Sequence, residues 1–152
     1  MIITFCGHSV VKTSDKLKER IKELIRDNTS DSATVTFYLG GYGDFDRICA
    51  IACKEIKEER AGVELVYVTP YIDRSAQIKI KDMQNCGLCD ATVYPPIENV
   101  PPRFAILKRN EWMISNSDLI IAYVNQSYGG AYRSFQTAKR KKKRVINICD
   151  LE

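Results

Sequence analysis

Short apolar runs alternate with amphipathic segments of helical period along most of the chain. One of these runs, Leu119–Val124, is almost wholly apolar, which is typical of a parallel strand covered on both faces. The alternation predicts a three-layer α/β fold around a mostly parallel central sheet. The predicted strands are Ile2–Cys6, Thr34–Leu39, Glu64–Thr69, Ala91–Tyr94, Leu119–Val124 and Val145–Cys149, and the predicted helices are Asp15–Arg26, Asp44–Arg60, Arg103–Ser115 and Gly130–Lys143.

The length of 152 residues favours a single domain spanning residues 1–152, which is enough chain to bury a full core. No run approaches about 18 consecutive apolar residues, so the sequence predicts no membrane span. The first residues, MIITFC, lack the basic and long apolar regions of a secretory signal. Together with six cysteines, which we expect to be reduced thiols, this predicts a cytoplasmic protein.

Four loops follow predicted strands at the carboxyl edge of the sheet, where ligands of open α/β sheets bind. Two of them carry a Gly-Gly pair, and glycine lets backbone N–H groups approach an anion at a helix N-terminus closely. The sequence therefore predicts a ligand cleft between these loops. The four loops read GHSV, GGYGDFD, PYIDRS and NQSYGGAYR.

The first glycine cluster contains Gly40, Gly41 and Gly43, between a predicted strand and a predicted helix. It forms either a tight turn or a cradle for phosphate or ribose, and the second Gly-Gly pair at the same edge favours the cradle. Asp44 is predicted to cap the following helix. Asp46 is predicted to accept hydrogen bonds from ribose hydroxyls.

The second pair, Gly129 and Gly130, lies in a polar loop before the last predicted helix, and its N–H groups are predicted to bind an anion. Arg133 falls in the first turn of that helix, where a cation either marks a nearby anion or points to solvent. His8, the only histidine, follows Gly7 in the first loop. The sequence leaves open whether His8 is structural, a hydrogen-bond donor or a catalytic base.

Two further clusters are predicted to have no special chemistry. Cys86 and Cys89 form one C-x-x-C pair without a second pair at zinc-site spacing, so we expect incidental thiols and no metal site. The basic run Lys139–Arg144 is a candidate nucleic-acid contact. However, it ends a predicted helix, where cations complement the dipole, and it has no interleaved aromatic residues. We therefore expect a solvated helix end and no nucleic-acid partner.

Four segments carry a resemblance that covers almost the whole chain: TFCGHS at Thr4–Ser9, GGYGDFDRICA at Gly40–Ala50, LKRNEWMISNSDLIIAY at Leu107–Tyr123 and YGGAYRSFQTAKRKKKRVINI at Tyr128–Ile148. In their order and spacing they resemble the SLOG superfamily, the Rossmann-like proteins related to DprA and to the LOG phosphoribohydrolases. The chain is most similar to the small, single-domain, YpsA-like branch. The resemblance implies a Rossmann-like fold that binds a nucleotide, or a nucleotide-derived ligand such as ADP-ribose.

The resemblance also bears on catalysis. LOG enzymes cleave nucleoside 5′-monophosphates into base and ribose phosphate with an Arg, which corresponds to Arg109, and a Glu in Pro-Gly-Gly-x-Gly-Thr-x-x-Glu. By chain order that loop corresponds to Gly129 and Gly130, and residues 131–135 contain no carboxylate. If the motif is placed instead on Gly40–Gly43, its Glu position falls on Arg47. The catalytic Glu is therefore missing in either alignment.

These observations predict a nucleotide-binding or sensing module without strong catalysis. The alternative is a nucleoside-phosphate N-glycosidase or transferase, in which Asp46 supplies the carboxylate that an oxocarbenium-like transition state needs and His8 or Arg109 assists. We expect no resident cofactor. Because related LOG proteins dimerise, the resemblance also implies a homodimer.

Overall fold

The computed structural model describes residues 1–151 and contains one sheet of six strands. The strands are β1 Ile2–Gly7, β2 Val35–Leu39, β3 Val63–Val68, β4 Ala91–Val93, β5 Leu119–Tyr123 and β6 Arg144–Asn147. They follow the order β4-β3-β2-β1-β5-β6, and every neighbouring pair is parallel. The predicted α/β fold with a parallel central sheet is confirmed.

Helices cover both faces of the sheet, because successive strand residues point to opposite sides. Leu119 and Ile121 of β5 pack in the cluster that contains the first two helices, whereas Ile120 and Ala122 pack beneath the last one. This arrangement gives the three layers. The helices are α1 Asp15–Thr29, α2 Asp44–Glu59, α3 Arg74–Asn85, α4 Ala105–Ser115 and α5 Gly130–Arg140, with 3₁₀ turns at Pro102–Phe104 and Ile148–Leu151.

The strand order reverses beside β1. The chain steps outward from β1 through β2 and β3 to β4, and then returns to place β5 on the opposite side of β1. Strands β1 and β5 pair from Ile3 with Leu119 up to Gly7 with Tyr123. The connections that leave these two strands therefore diverge to opposite faces and open a crevice at their carboxyl ends.

The largest departure from the sequence analysis is α3, to which no element was assigned. Only Ala76 and Ile80 of this helix are buried, so its apolar face is too narrow to show a helical period. Its start is nevertheless well defined, since the Asp73 carboxylate accepts a hydrogen bond from the N–H of Ala76 at 2.8 Å.

Three predicted helices are shorter than expected, and one of them, α2, ends only one residue early, at Glu59. The segment Pro102–Phe104 forms a 3₁₀ turn, so α4 begins at Ala105 rather than at Arg103. The last helix ends at Arg140 rather than at Lys143, because Lys142 adopts a φ of 56° that an α-helix cannot contain. Within residues 1–151, no helix combines the length and the apolar character that crossing a bilayer requires.

Candidate functional site

A cavity of about 450 Å³ lies at the crevice between the ends of β1 and β5. One wall is the loop after β1 together with Tyr42 and Asp46, and another is α4. The N-terminal turn of α5 closes the third side. We call this cavity the cleft. Its position agrees with the prediction that ligands bind at the carboxyl edge of the sheet.

The structure brings some of the predicted site residues together and leaves others outside the cleft. Those that line it are Gly7, His8, Asp46, Arg109, Gly129 and Gly130. Those that do not are Gly40, Gly41, Gly43 and Arg133, and for these a ligand contact stays a prediction. The loop PYIDRS lies apart and lines a different cavity near Pro102.

The N-terminus of α5 has the geometry of an anion site. Gly129 is its N-cap, with φ 91° and no side chain that caps the first turn. The first helical backbone bond runs from the N–H of Arg133 to the Gly129 oxygen, so the preceding N–H groups have no helical acceptor. A Cβ atom added at Gly129 or Gly130 would meet nothing within 4 Å. An anion can therefore approach these N–H groups without obstruction.

Two buried side chains add hydrogen-bond donors beside this helix end. His8, 9% exposed, accepts the N–H of Asn125 at its Nε2 at 3.1 Å, so in the neutral ring Nδ1 carries the proton. Ser134 is only 3% exposed, yet its hydroxyl has no hydrogen-bond partner among residues 1–151. Within residues 1–151, every side-chain N or O atom that is completely buried has a hydrogen-bond partner. The Ser134 hydroxyl and His8 Nδ1 are therefore open to the cleft that both residues line.

Arg109 is 1% exposed and lies at the base of the cleft. Its Nη1 donates to the Val68 oxygen at 2.6 Å and to the Gly40 oxygen at 2.9 Å, which ties together the ends of β2 and β3. Its Nε donates to Oδ1 of Asn110 at 2.8 Å. Burial lowers the pKa of the guanidinium, and the nearby Asp46 carboxylate opposes that change. In the structure Arg109 braces the strand ends, and a direct role in ligand contact stays a prediction.

Asp46 is the carboxylate of the cleft. Its Oδ2 accepts the N–H of Tyr42 at 2.9 Å, and its Oδ1 accepts no hydrogen bond from residues 1–151. Burial raises the pKa of Asp46 to about 6, against the opposing effects of the Tyr42 N–H and of Arg109 and Lys79. This carboxyl group therefore exchanges a proton near neutral pH, which suits it to accept hydroxyl hydrogen bonds or to transfer a proton.

The prediction that Asp44 caps α2 is wrong, because the N-cap is Gly43. The Asp44 carboxylate instead accepts the N–H of Val11 at 3.1 Å, and the Asp44 N–H donates to the Ser9 oxygen at 2.8 Å. Asp44 thus ties the start of α2 to the loop after β1, a contact between residues too far apart in sequence to be predicted from local pattern.

The glycines of the first cluster are enclosed by the protein itself. A Cβ atom at Gly41 would lie 2.8 Å from Tyr67 Cε1, and one at Gly43 would lie 2.7 Å from Ser9 Cα. The Gly7 position is tighter still, since its Cβ would lie 2.2 Å from Phe45 Cδ2. These close contacts explain the glycines by internal packing, without a ligand.

Sequence reasoning missed several residues that line the cleft, among them Tyr42, Asn110 and Ser134. Ser134 had a usable signal, since it follows Gly130 by four residues and thus lies on the same face of α5. The sequence held no such indication for Asn110 or Tyr42. Asn110 is next to Arg109 on a helix and Tyr42 lies in a glycine loop, and neither position shows which way the side chain points.

The cysteines show no reactive arrangement. Cys6 lines the cleft, but burial raises the pKa of its thiol to about 12, so it stays protonated. Cys86 is exposed, whereas Cys89 is buried and its thiol donates to the Ala91 oxygen. Among residues 1–151, no group of three His, Cys, Asp or Glu side chains is arranged to hold a metal ion.

No known protein family matches the chain by its sequence profile, and no curated protein matches it by sequence. Three-dimensional comparison does find similar folds. DprA from Streptococcus pneumoniae superposes with a TM-score of 0.63 at 15% identity, over 94% of this chain and 48% of that one. DprA from Helicobacter pylori, described by its single-stranded DNA binding mode, gives 0.58 at 16% identity, over 95% and 63%.

The molybdenum cofactor carrier protein from Chlamydomonas reinhardtii has a TM-score of 0.55 at 17% identity, over 95% of this chain and 73% of that one. The present chain spans less than two thirds of the length of either DprA chain. These likenesses confirm the Rossmann-like fold, and they include DprA, one of the proteins on which the resemblance was drawn. They do not support the expectation that nucleic acid is not a partner, since one of these proteins binds single-stranded DNA.

Proposed function

We propose that the cleft binds a small phosphate-bearing ligand of the nucleotide or nucleotide-derived class, and that binding rather than strong catalysis is its function. The observation that carries this proposal is the open N-terminus of α5. Its free N–H groups, the uncovered Gly130 and the buried Ser134 hydroxyl all meet at one place, and such a place suits a phosphate group.

The remaining walls suit the rest of such a ligand. Asp46 Oδ1 provides a hydrogen-bond acceptor for a sugar hydroxyl, while Ile106, Met113 and Ile114 form an apolar surface on the side of α4. The volume of about 450 Å³ lies within the usual range of small-molecule sites. A phosphate site, a carboxylate and an apolar wall in one cavity together match the parts of a nucleotide.

The absence of a carboxylate from residues 131–135 supports binding over catalysis. The resemblance places the glycosidase Glu just after the phosphate loop, which by chain order corresponds to Gly129 and Gly130, and these two residues line the cleft. A nucleotide seated there would meet no carboxylate from α5. Asp46 lies on another wall, in the first turn of α2.

Thermal unfolding in the presence of AMP, ADP-ribose and NAD tests the proposal. A ligand present at about 100 times its Kd stabilises the folded state by about 2.7 kcal/mol. We expect at least one of these compounds to raise the unfolding temperature, and Ser134→Ala to weaken its binding roughly tenfold through loss of one phosphate contact. Ser75→Ala, at an exposed position of α3, is the matched control. Failure of all three compounds to stabilise the protein at millimolar concentration would overturn the proposal.

A second candidate function is cleavage of the N-glycosidic bond. The observation that favours it is that Asp46, whose pKa burial raises to about 6, lines the same cleft as Arg109 and His8. A carboxyl group that titrates near neutral pH can act as a general acid or base. Release of free adenine from AMP, or of nicotinamide from NAD, abolished in Asp46→Asn, would establish this activity. No release above the uncatalysed rate would exclude it for these substrates.

The remaining features of the proposal rest on the sequence and the resemblance. We propose a cytoplasmic homodimer that does not bind nucleic acid through Lys139–Arg144. In the structure part of this run is engaged, since Lys143 Nζ donates to the oxygens of Ser115 and Ser117 after α4. Light scattering measures the oligomeric state. Titration with single-stranded DNA at low and high salt measures nucleic-acid binding, and an affinity that falls steeply with salt would contradict the proposal.

A further inference from the structure

Tyr42 differs from the rest of its glycine loop. Gly41 is packed against Tyr67 and Gly43 against Ser9, whereas the Tyr42 side chain is 37% exposed and lines the cleft. A large aromatic side chain at the edge of a binding cavity presents apolar area that a ligand can cover.

Two cationic side chains lie close to the Tyr42 ring. Lys79 Nζ lies 3.3 Å from the ring centroid and also donates to the Gly41 oxygen. The Arg109 guanidinium carbon lies 5.5 Å from the same centroid. The Tyr42 N–H donates to Asp46. Cation–π attraction to Lys79 holds the ring, and the bond to Asp46 holds the backbone of Tyr42, so stacking of a ligand ring costs little further loss of side-chain freedom.

Asn110 has a fixed orientation at the neighbouring wall of the cleft. Its Oδ1 accepts a hydrogen bond from Arg109 Nε at 2.8 Å, so its Nδ2 group is the part left for a ligand. Within residues 1–151 these amide N–H donors have no acceptor. A ring nitrogen or carbonyl oxygen of a heteroaromatic ligand is the complementary group.

We propose that Tyr42 is a stacking surface for a flat heteroaromatic ring of the ligand, with Asn110 donating to an acceptor on the edge of that ring and Lys79 holding Tyr42 in position. This inference rests on the proposed function, because it assumes that the phosphate lies at α5. It adds that the ligand must carry an aromatic ring and cannot be a sugar phosphate alone.

Calorimetric titration with AMP and with ribose 5-phosphate separates the ring contact from the phosphate contact. We expect the wild type to bind AMP more tightly than ribose 5-phosphate. Tyr42→Ala should weaken AMP binding about tenfold or more, since stacking on an aromatic side chain contributes that much per base, and should change ribose 5-phosphate binding by less than about twofold. Tyr42→Phe retains the ring and should bind AMP as the wild type does.

Other outcomes overturn the inference. If AMP binds wild type and Tyr42→Ala equally, or if AMP and ribose 5-phosphate bind the wild type equally, Tyr42 is not the stacking surface although the phosphate site stands. If the wild type binds neither compound, the inference and the proposed function fail together. Unfolding curves for each variant show that a loss of binding does not come from a loss of fold.

Lys79→Met tests the positioning role. Without the Lys79 ammonium the Tyr42 ring loses the nearer of its two cations. AMP affinity should therefore fall by roughly threefold, while ribose 5-phosphate affinity is unchanged. Lys79→Arg should restore AMP binding because it keeps the cation. Lys81→Met, at an exposed position of the same helix, is the control. Equal AMP affinity in Lys79→Met and the wild type would remove Lys79 from the proposal.

Discussion

The two Gly-Gly loops lie at the same edge of the sheet, but their glycines meet different surroundings. In the loop Gly40–Gly43 an added Cβ atom would lie within 3.1 Å of another atom of the protein at each glycine. In the loop at Gly129 and Gly130 it would meet nothing within 4 Å. The first loop needs glycine for packing, whereas the open space over the second is where a ligand can lie.

This contrast shows that a strand–glycine–helix pattern does not by itself identify an anion site. The N–H groups of Tyr42 and Asp44 already donate to Asp46 and Ser9 within the protein. The N–H groups of Gly130, Ala131 and Tyr132, in the first turn of α5, have no such acceptor among residues 1–151. What distinguishes the two loops is whether the backbone donors are already bonded, and only the fold shows that.

Arg109→Ala tests the first loop most severely. The substitution leaves the buried oxygens of Gly40 and Val68 without their donor and the Asp46 carboxylate without its nearest cation. Removal of one partner from a buried charged network costs about 3–5 kcal/mol. We expect the free energy of unfolding, measured by urea denaturation, to fall by that amount.

The matched control is Arg133→Ala, at an exposed arginine of α5, which should change the free energy of unfolding by less than about 0.5 kcal/mol. Arg109→Lys keeps the charge but cannot reproduce both hydrogen bonds to the carbonyl oxygens. We expect its free energy of unfolding to lie between those of the wild type and Arg109→Ala. A loss below about 1 kcal/mol in Arg109→Ala would show that this side chain does not brace the strand ends.

Gly43→Ala and Gly129→Ala compare the two loops directly. Both glycines have φ above 90°, so alanine is strained at either position by about 1–3 kcal/mol. At Gly43 the new methyl group also meets Ser9 Cα at 2.7 Å, whereas at Gly129 it meets nothing. We therefore expect Gly43→Ala to lower the free energy of unfolding by about 1–2 kcal/mol more than Gly129→Ala. Equal losses would mean that strain alone requires the first glycine.

Most of the fold was predictable because strand and helix periods are local signals. The run Leu119–Val124 has almost no polar residue, so its burial between two layers followed from composition alone. The exception is α3, whose two buried residues are too few to show a period. Its buried face is narrow because Ile80 packs only in a small cluster with Tyr67 and Cys89.

The site was predictable only in part. The rule that ligands bind beyond the carboxyl ends of parallel strands found the loops that contain His8, Asp46 and Gly130. The burial of Arg109 was not predictable, because its acceptors at Gly40 and Val68 are distant in sequence. For the same reason the sequence did not show that Gly40, Gly41 and Gly43 are packed against other parts of the protein.

Asp46 connects the loop Gly40–Gly43 to the cleft, because it accepts the N–H of Tyr42 and lines the cavity. The pH dependence of stability tests this connection. Its pKa is raised to about 6 from an ordinary 3.8, so the folded chain takes up a proton at higher pH than the unfolded chain. Stability therefore falls as pH rises from about 4 through 6, and the loss is complete above that range. Between pH 4 and pH 7.5 the free energy of unfolding of the wild type should fall by about 1–3 kcal/mol relative to that of Asp46→Asn.

The comparison with Asp46→Asn is needed because other carboxylates titrate in the opposite sense. The guanidinium of Arg26 lowers the pKa of Glu59 from 4.5 to about 2, so the stability that Glu59 contributes is lost as the pH falls from about 4.5 toward 2. That contribution is the same in both proteins and cancels in the difference. A difference that stays constant with pH would show that the Asp46 carboxylate is solvated rather than enclosed by the first loop.

Gly130→Ala should have the smallest effect on stability and a clear effect on binding. Gly130 is the first residue of α5, its φ is not positive, and its Cβ would point into open space. Alanine is a better helix former, so the free energy of unfolding should change by less than about 0.5 kcal/mol. The new methyl group would nevertheless stand where the phosphate approaches the N–H groups, and ligand affinity should fall about tenfold or more. Calorimetric titration with AMP, beside urea denaturation, measures both quantities. Unchanged affinity would mean that the N-terminus of α5 is open for a reason other than phosphate binding, and the contrast between the two glycine loops would then concern packing alone.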